Sequence, residues 1–179
     1  MTERYVSLLR GINVGGHNLI SMARLRALYM TMGCVDVATY LQSGNVVFRR
    51  DRDPAGLARS VEHAINHELG LDVRVLTRTH AELAAIVAAD PFPGADPSRR
   101  VVMFLSGPPG HEIAKELGHV TLGPDAAVLL GEELHLHCPD GFGTSRLPGL
   151  LSEKRLGVFA TARNWRTTTR LLEMSAAQP

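Results

Sequence analysis

The stretch VATYLQSGNVVFRR, Val37 to Arg50, holds two β-branched and aromatic runs on either side of polar and small residues. Runs of that kind form strands, and Ser43-Gly44-Asn45 between them is a tight turn, so the stretch reads as a β-hairpin. Upstream lies a helix that starts at Ser21, a good N-cap, and buries Met22, Leu25, Leu28 and Met32. Gly33 ends it, where glycine adopts a left-handed conformation at least cost. Before that helix, Tyr5 to Leu9 read as a strand. Downstream, Asp53 followed by Pro54 marks another helix start, with an acceptor at the cap and proline at the first helical position. Leu57, Val61, Ala64 and Ile65 form its buried stripe and Gly70 ends it. Residues 72–77 make a further strand.

Working outward from the hairpin, the first part of the chain is β-α-β-β-α-β, the ferredoxin-like order. A helix over 81–89 and the proline-rich loop DPFPGADPS follow, and that loop is the best candidate linker. Then come an apolar strand, Val101 to Ser106, a short helix near Glu112 to Leu117, and a hairpin of 126–130 and 133–138 around Gly131-Glu132. The end is helical, with a short piece around Leu147 to Leu151 and a longer helix from about Arg163 to Met174. This second part echoes the first as β-α-β-β-α, without an evident last strand and without sequence self-similarity. The expectation is an α+β protein of two ferredoxin-like (α-β plait) subdomains, residues 1–79 and 80–179, with elements open to exchange between the halves.

The 179 residues, 45% hydrophobic and 21% charged, describe a globular chain able to bury a core. A net charge of +1 provides no bulk field to recruit nucleic acid or membrane. Charge is uneven, because Arg146, Lys154, Arg155, Arg163, Arg166 and Arg170 face only Glu153 between positions 146 and 170. Cys34 and Cys138 make neither a disulfide framework nor a zinc-ligand set. They read as small buried side chains. The start MTERYVSLL lacks the features of a signal peptide, and no apolar run has the length of a membrane span. A cytoplasmic protein without membrane partners is the expectation.

RGINVGGHN, Arg10 to Asn18, lies between the first strand and the first helix. Its glycines permit positive φ and can aim backbone N–H groups into a nest that suits an anion. The equally available reading is a loop that only turns. The spacing is neither a Walker loop, since Gly16 precedes His17, nor a dinucleotide fingerprint. Ser43 is no nucleophile elbow, with Leu41 two positions before it. In ATARNWRTTTR, Thr161 as N-cap would place Arg163 in the first helical turn. A cation there opposes the helix dipole, unless an anion is shared with the free N–H groups. Trp165, Thr168, Leu171 and Leu172 form a helical stripe that suits a core. His63 and His67 read as a solvated pair, and His135 and His137 as an exposed sheet face. Tyr5, Tyr40, Phe48 and Phe104 could stack RNA bases but lack the RNA-recognition signature and fit a core. No carboxylate pair or Ser/His/Asp order stands out.

Four blocks, RGINVGG (10–16), SGNVVF (43–48), GFGTSRL (141–147) and LGVFATARNW (156–165), together resemble the bacterial domain-of-unknown-function family 1697. The resemblance implies two ferredoxin-like subdomains and no established activity. The family's usual ending, TTRNWNT, differs here at Ala162 and Arg166, which removes a hydroxyl and an amide and adds a charge. Because the blocks concentrate in loops and turns, the expected site gathers Arg10, Asn13, Gly15, Gly16, Ser43, Asn45, Arg163 and Asn164. The expected function is a binding module for a small phosphate-bearing or other anionic ligand. The alternatives are an enzyme acting on a small anionic substrate, with His17 as its nearest base, and an RNA-binding or protein-interaction module. No residue pattern names a cofactor, and the oligomeric state is not written in the sequence.

Overall fold

The structure is a computed structural model that describes residues 2–51 and 56–176. It divides into two compact units, one of residues 1–84 with 171–179, the other of residues 85–170. The Asp53-Pro54 helix start falls outside the described residues.

The first unit runs β1 (Thr2–Leu9), α1 (Met22–Thr31), β2 (Val35–Tyr40), β3 (Asn45–Asp51), α2 (Leu57–Leu69) and β4 (Val75–Thr79), and α3 (His80–Ala88) begins in it. Its sheet has the order β2-β3-β1-β4, and each neighbouring pair is antiparallel. Strand alternation sets the faces. Tyr5 and Leu9 on β1, Val46 and Phe48 on β3 and Val75 on β4 share one face. They form a core with Leu25, Leu28 and Tyr29 of α1 and Val61 and Ile65 of α2. Each large apolar side chain buried there contributes about 1.5–3 kcal/mol. The Ser21 hydroxyl accepts from the Arg24 N–H at 3.2 Å and fixes where α1 starts. The last strand begins at Val75, three residues later than the pattern predicts.

The second unit holds β5 (Arg100–Leu105), α4 (His111–Leu117), β6 (Val120–Leu122), β7 (Asp125–Leu130), β8 (Glu133–His137), α5 (Leu147–Leu150), α6 (Glu153–Leu156), β9 (Ala160–Asn164) and the start of α7 (Trp165–Ser175). Its antiparallel sheet has the order β6-β7-β8-β5-β9. Leu105, Ala127, Leu134, Leu136 and Cys138 pack with Leu117, Leu147, Leu151 and Leu156 of its helices.

Two strands here escape the sequence reading. The short β6 spans three residues, too few for a periodic pattern. The other, β9, is ATARN, a poor strand former that reads as a helix start. It forms a strand because its backbone completes the ladder beside β5, from Val101↔Asn164 to Leu105↔Ala160. Arg163 is therefore a strand residue, and Thr161 is not a helix cap. Among the described residues, no helix is long and apolar enough to cross a membrane.

Candidate functional site

The glycine loop is a miniature hairpin. Val14 and His17 form an isolated antiparallel bridge, and the His17 N–H donates to the Val14 carbonyl at 3.0 Å. Between them Gly15 and Gly16 have φ of 57° and 79°. Two successive positive φ values are what a two-residue type I′ turn demands, which accounts for the glycine pair.

Asparagines clamp the base of the loop. Asn13 Oδ1 accepts from the Ile20 N–H at 2.9 Å, and its Nδ2 donates to the carbonyls of Ile20 at 3.0 Å and Gln42 at 2.8 Å. Its own N–H donates to the Asn18 carbonyl, and Asn18 Nδ2 donates to the Gly11 carbonyl at 3.1 Å. Both asparagines have positive φ, which this residue type tolerates best after glycine.

The bond to Gln42 ties the loop to the β2–β3 turn. Just after that turn, at the first position of β3 and not within the turn as the sequence reading had it, Asn45 is fully buried, and its Nδ2 donates to the Tyr40 carbonyl at 2.8 Å and to Ser43 Oγ at 3.1 Å. Gly44 lies against β1, where its carbonyl accepts from the Leu9 N–H at 2.8 Å. A Cβ at Gly44 would stand 2.7 Å from Leu9 Cβ and 2.9 Å from Ile12 Cδ1. Leu41 has a φ of 57°, a strained value for a branched side chain.

Of the expected site residues, Arg10, Asn13, Gly15, Gly16, Ser43 and Asn45 belong to this one assembly. Asn13 and Asn45 hold it together, while Arg10, Gly15, Gly16 and Ser43 are exposed, as is His17. Among the described residues, neither Gly15 nor Gly16 has an acceptor for its N–H. Three exposed aliphatic side chains stand nearby, Val14, Leu19 and Leu41. Sequence reasoning missed them; the signal was an aliphatic residue inside or beside each turn.

Arg163 and Asn164 belong to the second unit and are built differently. Arg163 is buried, and Nη1 donates to Thr161 Oγ1 at 2.9 Å and to the Ala162 carbonyl at 2.8 Å. Burial pushes its pKa down to about 10, so the guanidinium stays charged at neutral pH. Asn164 Oδ1 accepts from the Thr167 N–H at 2.7 Å and is the cap of α7 that the sequence reading gave to Thr161.

The same sheet face carries a polar cluster that the sequence did not announce. His135 and Arg163 flank Val102 in register. His135 is only 2% exposed, which corrects the exposed face expected for it; its partner His137 is half-buried. Burial lowers the His135 pKa, a nearby Asp90 opposes the effect and Arg100 adds to it. Arg100 pairs with Asp90 and lies over the Trp165 ring at 3.9 Å from its centroid, a cation–π contact. Cys34 and Cys138 are buried, as expected, and His63 and His67 are exposed. Tyr5, Phe48 and Phe104 are buried, so their faces offer no platform for bases. Among the described residues, no group of three or more His, Cys, Asp or Glu side chains is arranged to hold a metal ion.

The family model described as "Protein of unknown function (DUF1697)" matches residues 1–135. A solved structure titled "The structure of conserved bacterial protein SP0830 from Streptococcus pneumoniae" is similar, with a TM-score of 0.76 at 21% identity. The alignment covers 98% of this chain and 100% of that one, and it shows a shared fold. No curated protein matches the sequence.

Proposed function

Starting from a chain that belongs to this family of proteins of unknown function, we propose that it is a binding module for a small phosphate-bearing or other anionic ligand, taken at the clamped glycine loop. One observation carries the reading: two adjacent glycine N–H groups have no acceptor among the described residues and stand in an exposed turn that is fixed at its base. Adjacent outward donors on a rigid loop suit an oxyanion. Arg10 supplies the compensating charge and the Ser43 hydroxyl a further donor, both exposed. Asn13 and Asn45 act as positioning residues, since their amides are engaged in holding the loop and the turn. Arg163 and Asn164 are left out of the contact set, because the one is buried and hydrogen-bonded in its own strand and the other caps a helix.

The ferredoxin-like arrangement belongs to the same reading and is supported by strand order. In each sheet the first strand of the unit lies between the third strand of the pattern and the last one, with β6 as an added edge in the second unit. A cytoplasmic location fits the two distant thiols.

The test is an amide-resolved NMR titration of the full chain at fixed ionic strength. The probes are inorganic phosphate, a mononucleotide, a sugar phosphate and a short single-stranded RNA. Saturable shifts at Gly15 and Gly16 that vanish in Arg10→Ala are expected. Saturable binding that leaves these amides unmoved, or none with any probe, would overturn the proposal.

A further inference from the structure

The GFGTSRL block has no part in the glycine-loop site, yet it walls a cleft of its own in the second unit. The cleft encloses about 240 Å³ and is lined by the β6–β7 turn, Leu122 to Asp125, and by Asp140, Thr144 and Arg146. The Thr144 hydroxyl turns back toward the carbonyls of Asp140 and Gly141 and tightens the loop. Gly141, at a φ of 107°, lets the chain bend there against Arg99.

Asp125 is the unusual group. It is only 7% exposed. Among the described residues its carboxylate makes no side-chain hydrogen bond or ion pair. Asp125 alternates with Ala126 along β7, so it shares the face of Ala127, whose strand partner is Leu136. That is the face of Cys138 and of the segment leading into α5. Burial raises the Cys138 thiol pKa, a hydrogen bond with Ser145 opposes this, and the charge of Asp125 adds to it, which fits a carboxylate on this side. The Asp125 oxygens are not among the fully buried polar atoms that lack a partner, so the carboxylate is reached from the cleft it lines. Asp140 and Arg146 are exposed at the rim, and neither makes a side-chain hydrogen bond or ion pair among the described residues. Opposite charges thus line one cleft without neutralising each other.

We infer that this cleft is a binding site for a small amino-carboxylate, whose ammonium group pairs with Asp125 and Asp140 while its carboxylate meets Arg146. At about 240 Å³ the cleft lies just below the usual range of ligand pockets and limits the occupant to a few heavy atoms. Two carboxylates with one arginine match a zwitterion better than a simple anion, and too few ligating side chains are present for a metal.

Thermal shift and calorimetry on the full chain test it, with 4-aminobutyrate and L-alanine as probes and butyrate and butylamine as controls. At least one amino-carboxylate should bind more tightly than either control. Asp125→Asn should weaken that binding by about tenfold or more, as expected for loss of a charged hydrogen-bond partner. Arg146→Gln should bring the amino-carboxylate down to the level of butylamine. Absence of binding by both probes, or binding undiminished in Asp125→Asn, would overturn the assignment. So would a drop in melting temperature in that variant, which would mark Asp125 as a structural group.

Discussion

The glycine loop and the RNW segment are both built from arginine, asparagine and turn-forming neighbours, yet they use these residues in opposite ways. In the loop, asparagine amides hold the backbone from below and leave Gly15, Gly16 and Arg10 on the outside. In the RNW segment the arginine is buried, the asparagine closes a helix end, and the tryptophan carries a second arginine on its face. The difference comes from the backbone. A type I′ turn projects its central N–H groups away from the chain, whereas a strand inside a sheet sends alternate side chains inward. Similar composition therefore yields a surface that can contact a ligand in one place and an internal polar joint in the other.

The sharpest way to break this comparison is Arg100→Ala. It leaves Asp90 without its ion-pair partner and uncovers the Trp165 ring. The expected loss is about 3 kcal/mol, measured by urea unfolding of the intact chain. Next in size is Gly44→Ala, where a Cβ meets Leu9 and Ile12 and the φ is 81°. Overpacking together with a left-handed backbone should cost about 2–3 kcal/mol. Gly16→Ala has a similar φ but nothing within 4 Å of the new methyl. It should cost only about 1 kcal/mol, and the contrast isolates packing from backbone strain.

The smallest effect is a pH dependence. The folded-state pKa of His135 lies below its ordinary 6.5. As pH falls through 6.5 the unfolded chain takes up the proton first, so stability decreases from there down to the folded pKa and is full above 6.5. Melting curves between pH 8 and 5 should show this decline, and His135→Leu should flatten it.

Much of the first unit was legible because its signals are local. The Val37–Arg50 hairpin, the Ser21 cap and the stripe of Leu57, Val61 and Ile65 each read from spacing alone, although the hairpin's turn lies at 41–44 and Asn45 already pairs with Tyr40 as the first residue of β3. The second unit was less so. Strand β9 depends on the ladder offered by β5, and ATARN has no strand preference of its own to announce it. The same mistake turned Thr161 into a cap and moved Arg163 onto a helix. His135 was misjudged for a related reason. Alternation along β8 assigns it a face, but only tertiary packing decides whether that face meets water. At the glycine loop the pair Gly15-Gly16 was recognised as special. Its turn type was not, because that depends on the Val14–His17 bridge and the reach of Asn13 to Gln42.

Native-state amide hydrogen exchange tests the central contrast most directly. Gly15 and Gly16, with outward N–H groups, should exchange near the rate of an unstructured peptide. Ile20, bonded to Asn13, and Thr167, bonded to Asn164, should be protected. Protection at Gly15 and Gly16 in the unliganded protein, or fast exchange at Thr167, would contradict the account.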